Sequence, residues 1–170
     1  SLPLLSLLQV EPLEMQSSHL SFQEYFVASA MCTGRYRLSG RSSRPWSWSP
    51  FWANVVKLGA EMGAAFVEGL MQTARLGMAL DLKKKLDGDR PTSIAAVALL
   101  MRGLTSLDLS HNNISAKEAK ALAAYMAVSR SLTECDLRYN KLGNEGWCTI
   151  FNALRDAPQN NIAKWNLYNQ

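Results

Sequence analysis

The feature that most constrains this chain is a pattern that recurs. Leu104-Thr-Ser-Leu107-Asp-Leu109-Ser-His-Asn112-Asn-Ile114 fits L-x-x-L-x-L-x-x-N-x-L. Leu132-Thr-Glu-Cys135-Asp-Leu137-Arg-Tyr-Asn140-Lys-Leu142 fits it again, with Cys135 in place of one leucine. A third copy opens at Ile162 and continues through Trp165 and Leu167. The offsets are 28 residues from Leu104 to Leu132 and 30 from Leu132 to Ile162. Periods of this size mark a stacked architecture, because a single unit cannot bury its apolar face alone.

Each copy reads as a short strand followed by a helix. Leu107 and Leu109 alternate with polar neighbours, which is the period of a strand. Ser115 and Glu118 then form a capping-box pattern. Ala119, Leu122, Ala123, Met126 and Ala127 follow as an apolar helical stripe. In the second copy Asn144 is the expected N-cap, and Trp147, Ile150, Phe151 and Leu154 form the inner stripe. Pro158 ends that helix. Upstream, Leu80-Asp81-Leu82 and the helix-like residues 93–101 read as a degenerate copy. Lys83-Lys84-Lys85 stands where the asparagine would be. Terminal repeats are often atypical because they cap the stack.

The first 75 residues have another character. Ser21 and Glu24 form a second capping-box pattern, with Leu20 and Tyr25 at the hydrophobic-staple positions. Residues 35–50 are rich in Arg, Ser and Pro and read as a loop. From Phe51 to about Leu76 the spacing predicts one or two helices, with Phe51, Val55, Leu58 and Met62 on one face and Phe66, Leu70 and Met71 continuing it. Gly59, Gly63 and Gly69 each weaken such a helix by roughly 1 kcal/mol against Ala, unless close packing offsets the loss.

Composition bounds the function classes. The 170 residues are 48% apolar and 19% charged, with a formal net charge of +4. That is a globular chain with a mild preference for acidic partners. Three cysteines, Cys32, Cys135 and Cys148, argue against a disulfide scaffold and for a reducing compartment. No uncharged run reaches the roughly 18 apolar residues of a membrane helix, so no membrane partner is expected. The apolar opening lacks a basic flank and a cleavage site, which makes it a poor signal peptide. A chain that begins at Ser1 is expected to be a fragment.

No constellation points to catalysis. His19 and His111 are the only histidines, and neither lies in a motif with a nucleophile. No metal is expected, since paired ligands such as C-x-x-C are absent. Asp108-Leu-Ser110-His-Asn112 resembles a calcium loop only in part. Asn113 and Ala119 stand where Gly and Glu are required. Arg35, Arg37, Arg41 and Arg44, followed by Trp46 and Trp48, offer a nucleic-acid reading. The simpler reading is a solvated loop whose tryptophans cover the core, so nucleic acid is not the expected partner. Asn112 and Asn140 recur for a structural reason: such side chains satisfy turn backbone.

What remains is surface. With Leu107 and Leu109 inward, the intervening residues face outward on the concave side of the sheet. Among Asp108, Ser110, Glu134, Asp136, Arg138, Lys164, Asn166 and Tyr168, stacking aligns Asp108 with Asp136 and Asn166, and Ser110 with Arg138 and Tyr168. These are the candidate partner-binding residues. Thr105 and Thr133 share the face. Tyr168 and Arg138 are the expected anchors. Reversal at Arg138 is expected to spare stability and weaken binding.

The repeats resemble ribonuclease-inhibitor-type leucine-rich repeats in period and in the Asn112 and Asn140 positions. His19-Leu-Ser-Phe-Gln-Glu-Tyr-Phe26 resembles a stretch near the end of the NACHT-associated helical region of NOD-like receptors, where it precedes such repeats. Trp52-Ala-Asn-Val-Val-Lys-Leu-Gly-Ala-Glu-Met-Gly63 is similar to segments that follow that motif in protist NACHT-repeat proteins. The resemblance implies an α/β fold: a short leucine-rich-repeat solenoid of parallel strands and convex helices, preceded by an α-helical segment. It divides the chain at 1–76 and 77–170. It implies non-catalytic, cytoplasmic protein recognition at the sensor or scaffold end of a NACHT protein. No G-x-x-x-x-G-K-[ST] loop is present. Nucleotide hydrolysis therefore cannot be assigned to this chain; no cofactor is expected, and nucleotide would enter only through an upstream module. The alternative is a ribonuclease-inhibitor-like or GTPase-regulator-like protein that binds and modulates an enzyme.

Overall fold

The computed structural model describes residues 5–9, 14–17, 20–157 and 160–166. Its second half is a run of strand–helix units. Strands β3 (Ala79–Asp81), β4 (Ser106–Asp108), β5 (Glu134–Asp136) and β6 (Lys164–Asn166) form one sheet in the order β3-β4-β5-β6. All three pairings are parallel. Leu80, Leu107, Cys135 and Trp165 are register partners in sequence, as are Asp81, Asp108, Asp136 and Asn166. The expected alignment of Asp108, Asp136 and Asn166 is therefore present, and the degenerate copy supplies a fourth strand.

Helices α4 (Arg90–Leu100), α5 (Ala116–Val128) and α6 (Gly143–Arg155) follow β3, β4 and β5 and pack side by side. Leu104, Leu107, Leu109, Leu132, Leu137 and Leu142 are all buried, and Cys135 is as buried as the leucines it replaces. Each such side chain contributes on the order of 1.5–3 kcal/mol relative to exposure. α4 is apolar nearly all round, as a helix enclosed on every side must be. It starts where the Asp89 carboxylate accepts the Thr92 amide at 3.1 Å, with Pro91 in the first turn.

The helix signals hold with corrections. The expected capping box of α5 is present: the Glu118 carboxylate accepts the Ser115 amide at 2.8 Å. α6 instead starts at Gly143, so Asn144 lies inside it and Leu142 takes the cap position. Gly143 has φ 57°, a left-handed conformation that glycine adopts without steric cost. Phe151 was expected on the inner stripe; it is exposed and stacked on Trp147, while Ile150 is buried. Pro158 lies outside the described residues.

The first part of the chain opens with a feature the sequence reading did not assign. Strands β1 (Leu5–Gln9) and β2 (Glu14–Ser17) pair antiparallel. Helix α1 (Leu20–Cys32) follows. It already includes Leu20, so Ser21 lies within it and is not its cap. The Glu24 carboxylate is buried against α2 (Ala53–Met62), where the Asn54 amide donates to both of its oxygens at 3.1 Å. Tyr25, the expected staple residue, is exposed. Gly63, at φ 71°, separates α2 from α3 (Ala64–Thr73), so of the one or two helices expected here there are two. Phe51 is exposed, whereas Val55, Phe66 and Leu70 are buried. Gly69 lets α3 approach α1 closely: a Cβ there would collide with the Met31 carbonyl. A Cβ on Gly59 would collide with the Phe66 ring. Close packing is thus what Gly59 and Gly69 serve.

The Arg-rich loop joins the two parts. It forms three 3₁₀ turns, Gly40–Ser43, Pro45–Ser47 and Pro50–Trp52. Trp48 is buried and stacked on Trp52, with centroids 4.6 Å apart, and its indole donates to the Ser42 carbonyl at 2.7 Å. The Trp48 carbonyl accepts the Asp89 amide at 2.8 Å, just before α4. The Ser47 hydroxyl donates to the Asp87 carboxylate. One hydrophobic cluster consequently runs from α1 to α6.

Candidate functional site

Two asparagines fix the spacing from which any surface on this sheet is built. The Asn140 carbonyl oxygen accepts the Asn112 and Ile114 amides, both at 3.0 Å. Its amide group donates to the carbonyls of Leu137 at 2.9 Å and Leu109 at 3.0 Å. Asn112 repeats this one unit earlier, donating to the Leu82 and Leu109 carbonyls at 2.8 and 2.9 Å and accepting the Leu86 amide at 3.1 Å. Both residues are buried. Thr105 and Thr133 do similar work at the start of the strands. Their hydroxyls donate to the Met78 and Thr105 carbonyls at 3.1 and 3.0 Å. On the helix side, Arg90 pairs with Glu118 of the next unit at 2.8 Å and donates to the Asn112 carbonyl at 3.1 Å.

On this frame the candidate residues fall into groups. Glu134 and Lys164 are register partners and pair at 3.1 Å. Both are accessible, with side chains 46% and 65% exposed. Asp108 is partly buried and accepts the Ser110 amide at 2.8 Å. Asp136 accepts the Arg138 amide in the same way at 3.0 Å, and Asp81 that of Lys83 at 2.9 Å. The repeated aspartate therefore closes the turn after each strand. Ser110 and Asp136 were expected on the open face, yet both are buried. The backbone of Asn166 pairs beside Asp136. Tyr168 lies outside the described residues.

Arg138 has a role the sequence did not reveal. Its guanidinium grips Asp136 through Nε at 3.0 Å and Nη2 at 2.6 Å. It neutralises a carboxylate that is only 8% exposed. Reversal at 138 would face two carboxylates toward each other, so it would test stability before binding. The hydrogen bond to Asp136 also holds the Arg138 guanidinium above its ordinary pKa.

Other side chains follow their surroundings. Burial pushes the Cys135 thiol up, with Asp136 and Asp108 adding to it. Burial also raises Cys32, whose thiol lies 3.5 Å from the Met62 sulfur. All three cysteines are free. Burial raises Glu118, but the bonds from Arg90 and Ser115 outweigh it and leave the carboxyl below its usual range. Among the described residues, no group of three potential ligands could hold a metal, and no helix is long and apolar enough to cross a membrane. Trp48 is enclosed, so its ring cannot stack on a base, and Trp46 is partly covered. His111 lies in the turn after β4, stacked on Tyr139.

The sequence reading missed Asp81, Lys84, His111 and Tyr139 as members of aligned rows. The Leu-Asp-Leu of residues 80–82, matching 107–109, was the signal for Asp81.

A family model described as Leucine Rich repeat matches residues 102–123 and 128–146. No match was found among curated proteins or among solved structures. The matched stretches contain β4, β5 and both ladder asparagines. Repeats of this kind present an extended surface for protein partners. The parallel register, the asparagine ladder and the family model agree on leucine-rich repeats at residues 102–123 and 128–146.

Proposed function

We propose that this chain is a non-catalytic recognition module. Its repeats form a short solenoid and bind a protein partner through the face opposite the buried leucines. The observation that carries this reading is the register of Ser106, Glu134 and Lys164 beside Asp108 and Asp136. Rigid backbone spacing holds these groups, so little side-chain or loop ordering is needed on binding.

The surface pair supplies the test. Lys164→Glu sets two exposed carboxylates side by side and should change stability by less than about 0.5 kcal/mol. The same variant should lose at least roughly tenfold in affinity for a protein partner captured by the wild type. Unchanged affinity would remove the face from the binding site.

The finer reading is the sensor or scaffold end of a NACHT-type NOD-like receptor working in the cytoplasm. It is supported by the likeness of residues 19–26 to the family motif and by the order of helices before repeats. Nucleotide would then act through an NTPase module elsewhere in the protein. The upstream reading frame tests this: a phosphate-binding loop supports it, and uninterrupted repeats support an enzyme-modulating protein instead.

A further inference from the structure

Backbone pairing continues beyond the strands. The Lys84 amide donates to the Ser110 carbonyl at 3.2 Å and the His111 amide to the Arg138 carbonyl at 3.0 Å. Lys84, His111 and Tyr139 thereby fall into one row along the turns. All three adopt left-handed backbone, with φ of 56, 58 and 55°. That conformation is uncommon for residues other than glycine, and its recurrence shows one turn geometry repeated in three units.

The row has a distinct chemistry. The His111 and Tyr139 rings stack with centroids 4.1 Å apart and planes 15° apart. Tyr139 is 43% exposed, and Lys83 and Lys84 are exposed. A cavity of about 400 Å³ opens beside Lys84 and His111, with Asn113 and the Arg90–Glu118 pair also in its wall. Loss of solvent holds His111 below its ordinary pKa. Lys83, Lys84 and Arg138 add to the effect, and Asp108 opposes it. The ring is a flat surface with Lys83, Lys84 and Arg138 near it.

We propose that this row docks an acidic segment of a protein partner, with a carboxylate beside Lys83 and Lys84 and a planar side chain on the His111–Tyr139 pair. The inference rests on the protein-binding reading above and names the partner's chemistry. Cations with a stacked platform also suit nucleic acid. The neighbouring row decides against it. Asp81 and Asp108 lie side by side next to the turns, the first exposed and the second partly so, while Arg138 covers Asp136. A continuous polyphosphate crossing that row would meet repulsion, whereas a peptide with isolated carboxylates avoids it.

The test is an NMR pH titration of His111 in the full chain. Three probes are added in turn: a short peptide alternating Glu and Tyr, one alternating Lys and Tyr, and an oligothymidylate. A bound carboxylate favours the imidazolium, so the Glu–Tyr peptide should raise the His111 pKa and move the Tyr139 ring signals. Its affinity should fall roughly tenfold in a Lys83→Glu/Lys84→Glu variant and weaken with added salt. Both lysines are exposed, and an unchanged melting curve confirms that the variant is folded. The proposal is overturned if the peptide leaves His111 and Tyr139 unmoved, binds the double variant equally well, or binds less tightly than the oligothymidylate. If the turn row stays silent while a protein partner still depends on Lys164, this inference fails and the protein-binding reading survives.

Discussion

The Asn112 amide donates to the side-chain oxygen of Asn140 at 3.0 Å, so the asparagine of one repeat holds the backbone of the repeat before it. Asn112 holds the Leu82 and Leu86 backbone in turn. Neighbouring units are therefore locked at a fixed rise. The first prediction follows from this link. Asn140→Ala orphans the buried Asn112 and Ile114 amides, and an unsatisfied buried group costs about 1–3 kcal/mol. Denaturant unfolding should show a loss of about 3 kcal/mol in all. An unchanged midpoint would mean that water replaces the side chain at little cost.

Leu109 is fully buried, and its amide donates to the Asp136 carbonyl at 2.8 Å. Leu109→Asp places an unpaired charge in the core. Circular dichroism should show that the repeat region fails to fold. An unaltered melt would contradict the strand register.

Gly69→Ala sets helix propensity against packing. Alanine is the better helix former by roughly 1 kcal/mol. Its Cβ would nevertheless strike the Met31 carbonyl, which cannot swing aside as a flexible side chain can. The variant should melt below the wild type. A higher melting temperature would show that α1 and α3 are not in close contact.

Glu118 makes stability depend on acid. Its carboxyl lies below the usual glutamate range because the bonds from Arg90 and Ser115 outweigh the upward push of burial. The folded state thus favours the charged form. The resulting stability is present above the ordinary glutamate pKa and fades as pH falls through the lower folded value. Arg90→Leu should lower stability at pH 7 and flatten this acid limb, so the two proteins differ least at low pH. Equal pH profiles would show that Arg90 does not sustain Glu118.

Much of the repeat half was legible because its signals are local or periodic. Leucines at fixed offsets gave the register, recurring asparagines gave the ladder, and Ser115 with Glu118 gave a cap. What escaped depends on partners distant in sequence. Glu24 looks like a cap residue from its neighbours, but Asn54, thirty positions away, claims its carboxylate. Ser110 and Asp136 alternate outward along the chain, yet the turns and Arg138 cover them. Alternation gives the side of the sheet and not the depth. The candidate site was therefore found as a face, and its accessible members, Glu134 and Lys164, emerged only from packing.

Site-specific photo-crosslinking most directly tests whether the strand face is the working surface. A photoreactive residue at Glu134 should crosslink a protein partner, and one at the exposed Lys120 on α5 should not. Crosslinking from Lys120 with silence at Glu134 would contradict the account.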